Sequence, residues 1–471
     1  MSRRRLQQLL LAAVVLVHAA AVGCRAFQIE EATVDDIQLG FRNGSLTSRR
    51  LVLFYLDRIA RLNPLLHAVI EVNPDALAQA ARADAERRRS PSRCGGPLHG
   101  VPVLLKDNIA TRDRLNTTAG SLALLGSVPG GTPAWCGGSG VPARWCSARP
   151  TSTSGPTSAP SKAPAAGARV VARAGTGSAI AAAANMAAAT LGTETDGSIL
   201  CPSSPICRTV ADAVQVLDAI VGYDSRDAKA TRAASKYIPP GGYVQFLKPD
   251  GLKGKRIGIP NGFFNFPSGT VEQIVYQQLL DTVRKQGAVV IGNLDIANLT
   301  VIQDVLNNGQ QIVLPAEFKS SLNTYLSDLS YSPVRSLAEI IAFNDAHPIE
   351  ERLKDFGQLI FLVAENTTGI GALERAIIHQ LNKLSADGLE KLMKDEQLDA
   401  IITPNDSVST VLAIGGMPAI TVPAGYGKRG VPFGICFSGL KGYEPRLIQM
   451  AYTFEQATKV RKPPKFLRGT F

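Results

Sequence analysis

Histidine is scarce in this chain, with five residues in 471, at positions 18, 67, 99, 347 and 379, and no ligand spacing among them. That excludes an imidazole-built zinc centre, and a Ser-His-Asp triad would have to recruit His99 with nothing beside it to orient the ring. Seven cysteines, six of them beyond the N-terminal run, repeat at no interval of the disulfide-framework or zinc kind. Cys201 and Cys207 can pair in an oxidising compartment or remain separate buried thiols. Glycine pairs such as Gly415-Gly416 lack the following Lys-Ser or Lys-Thr of a phosphate loop. Past residue 22 no apolar run reaches the roughly 20 residues that a membrane span needs. No cofactor and no metal are expected.

Acidic residues are missing from one long interval, since none occurs between Asp113 and Glu194. Inside it, residues 127–176 also lack Leu, Ile, Phe and Tyr, yet hold both tryptophans, seven prolines and eight glycines. Loops beyond about 15 residues are uncommon inside a compact domain. The composition is instead what a GC-rich coding stretch yields when read out of frame. A Pro/Ser/Ala linker or a basic arm are the alternatives.

The formal charge of +11 is unevenly spread: Arg3 to Arg5 at the start, Arg87 to Arg89 at a helix end, and five basic residues in 144–173 with no acid beside them. This distribution reads as a basic surface with no nucleic-acid partner.

The N-terminus has the three parts of a secretory signal: Arg3-Arg4-Arg5, the apolar run 9–22, and Cys24-Arg25-Ala26. Residues 1–26 are therefore expected to be removed, leaving 27–471 as a single domain, secreted or in the endomembrane lumen, without stable membrane insertion. Sequons at Asn43, Asn116, Asn298, Asn366 and Asn405 are compatible with that route, with Asn116 expected to be buried.

From 27 to 89 the pattern predicts an all-helical layer, with Thr33 as a cap, Thr47 ahead of the periodic run 51–62, and Pro74 in the first turn of a further helix. Residues 101–105 then form an uninterrupted apolar segment, which suits a strand buried on both faces. Further strands are expected at 255–259, 288–291, 398–402, 419–422 and 433–437. Helices are expected at 210–221, 271–286, 373–384 and 446–458. This alternation implies a layered α/β domain.

Lys106 leaves the strand 101–105 at its C-terminal end, where open α/β sheets hold ligands. Ser198 lies in Gly192-Thr-Glu-Thr-Asp-Gly-Ser-Ile199, a turn after the alanine-rich run 178–191. Amide hydrolysis needs a nucleophile, a neutral base and donors for the oxyanion. Ser198 suits the first role, and the backbone N–H groups of Thr195, Asp196, Gly197 and Ser198 suit the third. Lys106 is a base only if its pKa falls from about 10.4 toward 7 or 8, the direction in which burial drives a lysine.

Four ordered segments resemble the amidase signature hydrolases: Gly100-Val-Pro-Val-Leu-Leu-Lys106-Asp-Asn-Ile109, Thr117-Thr-Ala-Gly-Ser121, Gly177-Ser-Ala-Ile-Ala-Ala-Ala-Ala-Asn185 and Gly192-Thr-Glu-Thr-Asp-Gly-Ser-Ile199. Val422-Pro-Ala-Gly-Tyr426 and Gly430-Val-Pro-Phe-Gly-Ile435 look like plant members and their bacterial peptide-amidase relatives. The resemblance implies a mixed central sheet covered by helices on both faces, and a small-molecule or peptide amide as substrate. It also implies a triad of lysine, a cis-peptide serine that relays a proton, and a nucleophilic serine. Lys106 and Ser198 match the outer two.

Two departures accompany the resemblance. The relay register falls on Ala174, which cannot pass a proton, and Ser178 matches another position, expected to cap the following helix. After Cys201-Pro-Ser-Ser204 the family continues with a Gly-x-Lys-Pro-Thr block on the order of 30 residues, enough for a strand-turn-strand unit. Here Pro205 follows at once. Part of the core is accordingly expected to be missing, and the chain to be either an impaired enzyme, a non-catalytic remnant, or the product of a coding-sequence error.

Overall fold

The computed structural model describes residues 27–90, 96–111, 113–130, 144–147, 176–193, 204–225 and 228–464. Their architecture is mixed α/β, with ten strands in two five-stranded sheets among the described residues. The first sheet contains β1 (Val69–Val72), β2 (Val103–Lys106), β3 (Arg144–Ser147), β4 (Ala189–Gly192) and β5 (Ser204–Cys207), in the order β1-β3-β2-β4-β5. β2 runs parallel to both neighbours and sets Leu105 opposite Cys146 and Leu191. β1 and β5 close the two ends antiparallel. The unbroken apolar run produces the expected central strand: Val103, Leu104 and Leu105 are all buried.

The segment before it is helical with two corrections, the first being that Pro74 lies ahead of the helix Ala76–Arg89 and not in its first turn. Thr33 caps Val34–Arg42 as expected, and Thr47 caps Ser48–Leu66, their side chains accepting bonds from the Asp36 and Arg50 N–H groups. But Val69–Val72 is a strand. His67 ends the second helix in the left-handed region, at φ 48°, and the Asn63 side chain then accepts the N–H groups of Ala68 and Val69 at 2.8 Å. This turn delivers β-branched residues into extended pairing with β3.

The second sheet contains β6 (Arg256–Pro260), β7 (Val289–Leu294), β8 (Ala400–Pro404), β9 (Ala419–Tyr426) and β10 (Pro432–Ser438), in the order β7-β6-β8-β10-β9. Its centre is buried on both faces, and the period of two shows in where side chains go. Ala400, Ile402, Ile435 and Phe437 enter one apolar cluster, shared with the helices Val271–Lys285 and Glu444–Thr458. Ile401 and Cys436 enter the cluster on the other face. A satellite cluster joins Ala123 and Leu124 to Leu326, Leu329, Val334 and Ile340, laying a helical layer over the loop that follows β2.

Glu455, on the last helix, reaches back to the helix Val210–Ile220 and accepts the Val210 N–H at 2.9 Å. Burial pushes its carboxyl from the ordinary 4.5 up to about 7, against that bond. The native state therefore holds a proton that the unfolded chain has released between these values. Stability should fall as pH rises from about 4.5 to 7, by on the order of 2–3 kcal/mol for this group. Glu455→Gln should flatten that part of a denaturant-midpoint profile; Asp107, Asp212 and Glu444, also raised by burial, leave a residual slope of the same sign.

Candidate active site

Parallel pairing of β2 with β4 brings two chain segments out at the same edge. Lys106 is the last residue of β2, and Thr193 directly follows β4. The Lys106 Nζ donates to the Thr193 carbonyl at 3.0 Å, although only 6% of the lysine is exposed. Asn108 fastens the same point, its Nδ2 donating to Thr193 Oγ1 at 2.8 Å while that hydroxyl donates back to Oδ1 at 3.1 Å. The lysine amine thus sits at the root of the segment that begins at Glu194. Ser198, Thr195, Asp196 and Gly197, and Ala174, lie outside the described residues, as does Cys201.

Asp107 turns the other way and builds the wall beside Lys106. Its carboxylate accepts the Thr118 hydroxyl at 2.5 Å, the Gly120 N–H at 3.2 Å and the Thr118 N–H at 3.3 Å. Burial raises its pKa, and these bonds oppose that rise. Gly120 takes φ 85°, the left-handed turn that lets its N–H face the carboxylate. Two residues further on, the Leu122 N–H donates to Glu351 at 2.6 Å, and the Ser121 hydroxyl to the same oxygen at 3.3 Å. The Thr117–Ser121 text is therefore a scaffold loop, pinned from β2 and from the helical layer. Asn116 is half-buried, and its Nδ2 donates to Glu71 at 3.3 Å.

The helix Thr176–Ala183 packs behind β4. Ser178 lies within it and not at its cap: the buried hydroxyl donates to the Leu191 carbonyl at 2.8 Å, tying helix to strand just before the Gly192 turn. Asn185, buried at φ 57°, ends the motif in the left-handed region that asparagine tolerates.

Sequence reasoning singled out Lys106 but gave no role to Asp107, Asn108 or Thr193. The available signal was the Lys-Asp-Asn text itself: polar residues directly after an apolar strand, of which Lys106 and Asp107 are buried and must find partners.

The amidase family model matches residues 50–131 and 203–412, which include Lys106 and exclude Ala174 and Ser198. A probable amidase of Arabidopsis thaliana is 46% identical, with 94% of this chain and 93% of that protein covered. Its alignment runs over 488 positions, whereas 94% of 471 residues is about 443, so about 45 positions hold a residue of the relative and none of this chain. Among solved structures, native peptide amidase from Stenotrophomonas maltophilia matches with a TM-score of 0.79 and 33% identity, covering 93% of this chain and 99% of that one. An amidase family protein from Bacillus anthracis matches with a TM-score of 0.79 and 27% identity, covering 92% of each chain.

Proposed function

The chain belongs to the amidase signature family, and on that premise we propose that it is a hydrolase of carboxamide C–N bonds whose proton relay is broken. The observation that carries this reading is the buried Lys106 Nζ bonded to Thr193 O, five residues ahead of Ser198 in the chain. Ser198 Oγ attacks the carbonyl carbon, and the N–H groups from Thr195 to Ser198 stabilise the oxyanion. The serine proton goes to the neutral Lys106 amine and from there to the leaving nitrogen. The C–N bond breaks, ammonia or an amine departs, and water hydrolyses the acyl ester. With alanine at 174 the serine-to-lysine transfer lacks its hydroxyl bridge, so each turnover must route that proton through water. The substrate is a small or peptide amide.

A serine-directed fluorophosphonate tests this directly. Slow labelling confined to Ser198, located by peptide mass spectrometry and lost in Ser198→Ala, is expected. If Ser198 stays unlabelled under conditions that label the Arabidopsis relative fully, the catalytic reading is wrong.

The break in the family match between residues 131 and 203 favours a second reading, a non-catalytic remnant or a coding-sequence error. Reading codons 127–207 in all three frames decides between these: a Gly-Ser-Ser segment and a Gly-x-Lys-Pro-Thr block should appear in another frame or in the adjacent intron if the coding sequence is at fault. Residues 1–26 are read as a secretory leader, placing the mature chain outside the cell or in the endomembrane lumen. Among the described residues no helix is long and apolar enough to cross a membrane.

A further inference from the structure

The sequons at Asn43, Asn116, Asn298, Asn366 and Asn405 are not equivalent once the chain is folded. N-glycosylation puts a bulky, hydrated sugar in place of one hydrogen on the asparagine Nδ2, so the folded chain must leave that nitrogen room in solvent. Three of the five sequons meet this demand. Asn43, Asn298 and Asn366 are exposed, and each stands at the end of a helix. Asn43 closes Val34–Arg42, and its Oδ1 accepts the Ser45 hydroxyl at 2.6 Å and the Ser45 N–H at 3.0 Å. That local turn engages the oxygen, leaves Nδ2 without a partner among the described residues, and sets the sequon's own hydroxyl against the carboxamide. Asn298 precedes the helix Leu299–Gln303 in the left-handed region, at φ 59°, and Asn366 follows Leu359–Glu365. Among the described residues neither carboxamide makes a hydrogen bond, and Thr300 and Thr368, which complete the two sequons, are exposed as well.

The other two asparagines are built into the fold. Asn116 is half-buried: its Nδ2 donates to Glu71 at 3.3 Å, its Oδ1 accepts the Gly126 N–H at 3.2 Å, and the hydroxyl of its sequon, on Thr118, is committed to Asp107. A sugar on Asn116 would push apart the loop that walls Lys106. Asn405 is exposed but pinned to β10 at two atoms, its backbone N–H donating to the Gly434 carbonyl at 2.9 Å and its Oδ1 accepting the Gly434 N–H at 2.7 Å. The Ser407 hydroxyl donates to the Pro404 carbonyl at 2.7 Å, away from the carboxamide it would have to serve.

We infer that the chain, once inside a secretory lumen, carries N-linked glycans on Asn43, Asn298 and Asn366 and none on Asn116 or Asn405. The inference rests on the reading of residues 1–26 as a secretory leader, and the experiment is arranged so that the two fail separately.

The full chain is expressed in cultured mammalian cells in two forms, one with its own residues 1–26 and one with a leader of proven function in their place. Soluble chain from the lumen and the medium is treated with peptide-N-glycosidase in heavy-oxygen water, which converts each glycosylated asparagine to labelled aspartate, and is mapped by peptide mass spectrometry. The label is needed because Asn43-Gly44 also deamidates spontaneously, without taking a glycan. Labelled aspartate is expected at 43, 298 and 366 alone. Asn43→Gln, Asn298→Gln and Asn366→Gln should each remove one step of gel mobility, and the triple variant should run with the deglycosylated chain. Label at 116 or 405, or unmodified asparagine at any of the other three in the leader-replaced form, overturns the inference. Label at the three sites in the leader-replaced form with none in the native form upholds the site assignment and overturns the secretory reading instead. If a variant does not stay in solution, the map of the unsubstituted chain decides.

Discussion

A chain that carries Ala174→Ser together with the segment expected after Ser204 should hydrolyse a simple carboxamide roughly a thousandfold faster than the chain itself, or more, measured as ammonia release. Ala174→Ser alone should recover little. Loss of one member of a serine triad commonly costs several orders of magnitude, because the remaining groups act as a unit. Here the loss is compounded by position. β4 leads to Ser198, and its neighbour on the other side is β5, at the end of that sheet. The segment that carries Ser198 thus leaves a sheet whose outer strand borders an open cleft. Full recovery by the single substitution would show that the sheet needs no further strand.

In that restored chain, Lys106→Met should lower kcat/KM by about three orders of magnitude or more while leaving Tm nearly unchanged. Methionine keeps the buried stem and gives up only the amine; the Thr193 carbonyl then loses one bond, worth about 1 kcal/mol. Lys106→Arg should be equally inactive, because a guanidinium does not give up its proton and cannot act as a base. Activity retained in either variant would remove Lys106 from the proton path. An accompanying collapse of Tm in both would mark it as structural.

How much of this was legible in the sequence differs between the two sheets. In the second, strands expected at 255–259, 398–402 and 433–437 appear as Arg256–Pro260, Ala400–Pro404 and Pro432–Ser438, because each is apolar enough to be buried on both faces. The helices 210–221 and 446–458 carry a clear stripe and appear within two residues of the expected bounds, as Val210–Ile220 and Glu444–Thr458. In the first sheet only β2 could be read. β4 is hidden in an alanine-rich run, and alanine favours a helix at Thr176–Ala183 and accepts a strand at Ala189–Gly192 according to what it packs on. β3 comes from the stretch without Leu, Ile, Phe or Tyr, and its place is fixed by β1 and β2 on either side. The site divides in the same way. Lys106 stood out as a polar residue at a strand end, whereas the work of Asp107 depends on a loop eleven residues away, at Thr118. Tertiary partners of that kind leave no periodicity to read.

The helix Val210–Ile220 has a consequence for how the molecule comes apart. Val216 belongs to the core of the first sheet, while Val210 and Val214 belong to that of the second, so eleven residues carry apolar contacts into both halves. Cooperativity between the halves passes through this rod and the Glu455 bond at its start, together with the Ala123–Leu124 cluster and the Glu351 bonds. Should these links loosen together, each half becomes a separate foldon, opening on its own free energy. Melting then ceases to be two-state, and the molecule has two midpoints in place of one.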